Sequence, residues 1–94
     1  MEEENMAINI IYKDPYNGKL CMDEIKQISY ERIITPDNFF EENQPFESVW
    51  TSIMNFSIVF TIDEKTHNEL LRTSVKEGFA DLSQYDCRIE DLSY

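Results

Sequence analysis

From Phe46 to Ile62 the chain reads FESVWTSIMNFSIVFTI. Every second residue (Phe46, Trp50, Met54, Phe56, Ile58, Phe60, Ile62) is large and apolar, with only Ser48 and Ser52 interrupting the row. A repeat of two marks an extended strand that buries one face, because successive side chains leave a strand on opposite sides. Val49, Ile53 and Val59 add β-branched bulk to the other face, which suits the centre of a sheet, covered in part on both sides. The stretch 49–62 is therefore read as one central strand about which the other elements are arranged.

Before it, Met1–Met6 (MEEENM) reads as a flexible acidic tail and 7–94 as a single domain. AINIIYK (7–13) is short and β-branched, as a first strand would be. DPYNGK follows, with Pro15 supplying the fixed φ of a turn and Asn17-Gly18 tolerating positive φ, so a β-hairpin is expected here. Residues 20–34 fit two short strands, 19–24 and 27–34, or a helical stripe through Met22, Ile25, Ser29 and Ile33; the β-branched residues and Tyr30 favour strands. Thr35-Pro36-Asp37 has the form of a helix start, here a single turn carrying Phe39 and Phe40 and ended by Pro45. After Ile62 the period changes. Asp63 or Thr66 can cap a helix over 64–77 whose inward stripe is Leu70, Leu71, Ser74 and Val75, and Gly78 stops it. Phe79 and Leu82 dock an exit loop, and 85–92 alternates as a last strand. The expected fold is α+β, a small, mostly antiparallel sheet with one main helix on one face, in two layers.

Charge bounds the function. The chain carries 19 acidic and 8 basic residues among 94, a formal net charge of −11, which repels nucleic acid and anionic membrane and attracts basic protein surfaces. No run approaches the roughly 18 apolar residues of a membrane span, and the N-terminus is acidic where a secretory signal is basic. A cytoplasmic protein is expected, with Cys21 and Cys87 as small core residues rather than a disulfide. Usage rich in Ile, Asn, Glu and Phe and poor in Ala and Gly suggests an AT-rich genome, such as that of a low-GC bacterium or its phage.

No catalytic or cofactor motif stands out. His67 is the only histidine, so every Ser-His or Cys-His scheme must use it, and an exposed place in the first helical turn is the expected one. Cys21, Cys87 and His67 lack the spacing of a zinc site. The DPYNG loop puts Tyr16 where an EF-hand needs an oxygen ligand, and two glycines in the whole chain cannot build a phosphate-binding loop. Neighbouring acids such as Asp23-Glu24 point apart on a strand and make poor catalytic dyads. Neither a catalytic residue, a metal nor a cofactor is expected, although a hydrolytic or metal-dependent enzyme stays open as a minor alternative.

The acidic residues are unevenly placed. No basic residue falls between Arg32 and Lys65, a gap holding Asp37, Glu41, Glu42, Glu47, Asp63 and Glu64, and Asp86, Glu90 and Asp91 face only Arg88 near the C-terminus. Carboxylates two apart on a strand or three to four apart on a helix lie roughly 5–7 Å apart, so an acidic face can occupy an Arg- and Lys-lined groove built for nucleic-acid phosphates. The expected function is a non-enzymatic inhibitor that binds a basic nucleic-acid-handling protein, a nuclease or defence effector, rather than nucleic acid or membrane. Its expected contact residues are Asp37, Phe40, Glu41, Glu42, Glu47, Asp86, Glu90, Asp91 and Tyr94, the acids steering association and the aromatics supplying contact area. In size, charge and lack of catalytic motifs, though in no shared motif, the chain is similar to the small acidic proteins that phages use against CRISPR and restriction systems. The alternatives are a structural or adaptor subunit of a larger assembly, and an acidic domain whose charge serves solubility.

Overall fold

The structure, a computed structural model, describes residues 8–37 and 46–92. They form one sheet of six strands and one helix, an α+β arrangement: β1 (Ile8–Lys13), β2 (Leu20–Arg32), β3 (Phe46–Ser52), β4 (Phe56–Thr61), α1 (Glu64–Glu77), β5 (Phe79–Asp81) and β6 (Cys87–Asp91). The strand order is β5-β1-β2-β3-β4-β6. Met1–Met6, and the short helical turn expected to carry Phe39 and Phe40, lie outside the described residues.

The β1–β2 hairpin forms around the turn that DPYNGK encodes. The Asp14 side chain accepts from the Tyr16 amide at 2.8 Å, and Gly18, at φ 72°, donates its amide to the Asp14 carbonyl at 2.8 Å. β2 is one strand of 13 residues rather than two short ones. A register shift between Ile25 and Gln27 lets its first half pair with β1 and its second with β3, a bulge that bends the strand without ending it.

The single central strand read from the sequence is a hairpin. β3 and β4 pair antiparallel, Trp50 opposite Ile58 and Ser48 opposite Phe60, and Asn55, at φ 67°, makes the tight loop between them possible. Ser52 and Phe56 flank a loop of three residues, an odd number, so the even-numbered side chains face inward on both strands and the period of two runs unbroken through the turn.

The mostly antiparallel sheet expected from the sequence is instead mixed, because Phe79–Asp81 is not an exit loop but a strand lying parallel to β1. Three residues are too few to show a period. They are held by the Asn9 amide on the Gly78 carbonyl at 3.2 Å and the Leu82 amide on the Ile11 carbonyl at 2.8 Å. This strand also makes the sheet curl. The edges of a flat six-stranded sheet stand about 24 Å apart, whereas the chain from Asp81 to Cys87 reaches at most about 21 Å fully extended, and it is further shortened by a turn closed by the Tyr85 amide on the Leu82 carbonyl. The Cys87 thiol accordingly lies 3.4 Å from the carbonyl oxygen of Lys13 on β1.

The concave face of the curled sheet holds the core: Ile8, Ile10 and Tyr12 of β1, Ile25, Trp50, Ile58, Phe60 and Ala80, closed by Leu82. Cys21 and Cys87 are half-buried free thiols packed against it. α1 has its predicted bounds, with the Asp63 side chain accepting from the Thr66 amide and Gly78 in the left-handed conformation at its end.

Candidate functional site: an acidic outer sheet face

Residues paired across neighbouring strands share a face of the sheet, so the register shows which acids stand together. On the convex side, where Thr51, Ser57 and Val59 are buried and Glu31 is exposed, Glu31 of β2 is directly opposite Glu47 of β3, which is opposite Thr61 of β4. On β6, Arg88 is opposite Val59 and Glu90 opposite Ser57, both on this same side. Asp86, just before β6, joins Val59, Thr61 and Arg88 in lining a shallow hollow of about 190 Å³. Neighbours in such rows are about 5 Å apart across strands and about 7 Å along them.

Two like charges directly opposite each other destabilise a sheet. Arg88 supplies the compensation. Its guanidinium donates from Nη1 to Glu47 Oε2 at 2.7 Å and from Nη2 to Glu47 Oε1 at 3.1 Å, and from Nη2 and Nε to Glu90 Oε2 at 2.7 and 2.9 Å. This fork fixes both carboxylates and holds the Glu47 carboxyl below its usual range against a smaller opposing effect of burial. One arginine among Glu31, Glu47, Asp86 and Glu90 leaves the face negative.

The structure thus brings together Glu47, Asp86 and Glu90 of the expected contact residues, and adds Glu31. Asp37 is exposed in the turn at 36–37, beyond the end of β2. Asp91 is opposite Phe56 and so points to the concave side, away from Glu90. Phe40, Glu41, Glu42 and Tyr94 lie outside the described residues. The missed Glu31 carried a signal in its parity on β2, usable only once the register with β3 was known.

His67 corrects another expectation. It is buried, at 2 % exposure, not exposed in the first helical turn. Its Nδ1 is 2.6 Å from the Ser48 hydroxyl oxygen, which accepts the Trp50 indole N–H at 2.7 Å, and its ring stands edge-on to Tyr30 and Phe46. Burial holds its pKa below the ordinary value, with Glu64 opposing. Ser48 is fully buried, so no substrate reaches its hydroxyl, and the contact serves to fasten α1 to β3. The Arg32–Glu64 ion pair at 2.8 Å ties the same end of the helix to β2.

Among the described residues no group of three or more His, Cys, Asp or Glu is placed to hold a metal ion, and no helix is long and apolar enough to cross a membrane. No family model, curated protein or solved structure matches the chain.

Proposed function

We propose that the chain is a non-enzymatic acidic inhibitor that binds a basic, nucleic-acid-handling protein, a nuclease or a defence effector of the kind that phage anti-CRISPR and anti-restriction proteins oppose, in the cytoplasm of the host cell. The observation that carries this reading is the array of Glu31, Glu47, Asp86 and Glu90 on one sheet side around a single arginine, Glu31, Asp86 and Glu90 exposed and Glu47 partly buried. Strand spacing sets these carboxylates at intervals close to those of backbone phosphates, so an Arg- and Lys-lined groove can engage them in register. The net charge of −11 raises the rate of encounter with such a groove. Asp37, Glu41 and Glu42, between β2 and β3, extend the acidic surface in this reading, and Phe40 and Tyr94 add contact area.

The test is reversal of charge without loss of fold. Glu31→Lys with Glu90→Lys, both exposed, weakens partner binding by roughly tenfold or more at low salt and by less at high salt, as does Glu41→Lys with Glu42→Lys. Affinity unchanged in both double variants contradicts the proposal.

A second reading, an adaptor or structural subunit, is supported by Leu20, Met22 and Phe79, which are 66 %, 61 % and 40 % exposed and lie on the convex side of β2 and β5. Apolar surface of this kind marks contact with another protein. It predicts binding that survives high salt and is lost in Met22→Ser.

A further inference from the structure

The convex side of the sheet is divided in two. Toward β3, β4 and β6 it carries the acidic array, whereas over β5, β1 and the first half of β2 it is largely apolar. Ile10 and Tyr12 enter the core, so Ile11 and Lys13 stand on the opposite side of β1. The register sets Ile11 between Met22 of β2 and Asp81 of β5, Lys13 beside Leu20, and Asn9 between Glu24 and Phe79. Leu20, Met22 and Phe79 are exposed, in places where the outward face of a strand usually carries polar side chains.

Two charges mark the ends of this surface. Lys13 and Glu24 are exposed, and neither makes an ion pair with a described residue. They stand at opposite ends along the strands, about 14 Å apart. Asp81, the other charge on this half, is turned to Ser83, whose hydroxyl donates to its Oδ1 at 2.7 Å. The surface is therefore apolar in its middle, basic at one end and acidic at the other, and almost neutral in a chain of net charge −11. A purely basic or purely acidic partner matches only one of its ends, whereas a second copy matches both. A two-fold axis lying between two such faces, and running nearly across the strands, reverses the strand direction. Ile11 and Met22 then meet their own copies, and Lys13 of each copy faces Glu24 of the other across a sheet spacing of about 10 Å, which the two long side chains span. Three strands of five residues cover roughly 250 Å² of sheet, well below the roughly 800 Å² per partner of a stable dimer, so this association is weak and reversible.

We infer that the apolar half of the convex side is a self-association surface that pairs two copies of the chain about a two-fold axis. The inference rests on the face itself and not on the inhibitor reading; within the adaptor reading it makes the occupant a second copy instead of a different protein. Glu31, Glu47, Asp86 and Glu90 lie on the other half, outside the contact. Under the inhibitor reading each dimer thus presents two acidic arrays on one particle, which favours a partner with two basic grooves.

The experiment is sedimentation equilibrium of the purified whole chain from about 0.01 to about 1 mM, in about 0.15 M salt, which screens the repulsion between the two net charges more than it screens pairs in contact. A monomer–dimer equilibrium with its midpoint in that range is expected. Met22→Ser weakens the dimer roughly tenfold. Lys13→Glu and Glu24→Lys each set like charges against one another across the axis and weaken it roughly fivefold, and the double variant Lys13→Glu/Glu24→Lys restores it, because both pairs return with their signs exchanged. Circular dichroism shows every variant folded. A monomer across the whole range overturns the inference, as does a dimer that Met22→Ser leaves intact or that the double variant fails to restore. A monomeric chain that captures a different protein through this face, and loses it on Met22→Ser, overturns self-association while leaving the adaptor reading standing.

Discussion

At the scale of single residues, the buried polar contacts carry more than the surface charges. Ser48 serves two neighbours: its hydroxyl accepts the Trp50 indole N–H and is hydrogen-bonded to His67 Nδ1. Ser48→Ala leaves both without a partner inside the core, and leaving a buried polar group unsatisfied costs about 1–3 kcal/mol; urea unfolding followed by Trp50 fluorescence reads that loss as a lower midpoint. His67 adds a pH dependence. Its folded pKa lies below the value of about 6.5 that it has when unfolded. As the pH drops below that value, the unfolded chain takes up a proton that the folded chain refuses, and stability falls. Between pH 7 and 5.5 the wild type loses stability relative to His67→Gln, measured by paired urea titrations. The lowered carboxyls of Glu47, Asp63 and Asp81 act only at lower pH, near and below the usual carboxylate range. In the sequence His67 is hidden by its polarity. Positions 67, 70, 71 and 74 follow the spacing of a buried helical stripe, yet a stripe sought among apolar residues shifts to Val75, which is 61 % exposed.

Elements differ in how far the sequence reveals them, and the reasons are geometric. The helix is legible from end to end because its signals are local: Asp63 caps it and Gly78 closes it at φ 74°, donating its amide to the Ser74 carbonyl at 2.7 Å. Asp63→Ala costs about 1 kcal/mol, and Gly78→Ala about 1–2 kcal/mol because the left-handed conformation strains any Cβ; thermal denaturation checks both, with the helix signal falling together with the whole fold. The β3–β4 hairpin is legible as strand but not as two strands, since an odd loop leaves the alternation in phase. β5 is illegible, because its strand character comes from pairing with β1 and not from its own residues. The bulge in β2 reads as a break for a related reason, as a bend that keeps hydrogen bonding looks like a boundary when only the pattern is visible. The acidic site stands in between. Glu47 and Glu90 follow from charge spacing, whereas Glu31 beside Glu47 and the turning of Asp91 to the opposite side depend on register.

For the whole molecule, the curl of the sheet separates two surfaces. The convex side of β2, β3 and β6 carries Glu31, Glu47, Asp86 and Glu90 about Arg88, and the concave side is filled by the core except at its open end. If the convex face imitates phosphates, Arg88 weakens the imitation. Arg88→Gln removes the fork to the half-exposed Glu90 and to Glu47, whose side chain is 13 % exposed; it lowers stability, more through Glu47 than through Glu90, yet it tightens partner binding at low salt. An unchanged or weaker affinity would assign the fork a structural role alone.

Phosphate imitation by the outer face is tested most directly by capture with the tagged protein from nuclease-treated lysate of a low-GC bacterial host, followed by elution with duplex DNA or RNA and compared with the Glu31→Lys/Asp86→Lys/Glu90→Lys variant. The predicted result is one basic nucleic-acid enzyme, released by its own substrate and by salt, and not retained by the folded variant. A partner that is neutral, indifferent to salt and nucleic acid, and held equally by the variant would contradict phosphate imitation by the outer face.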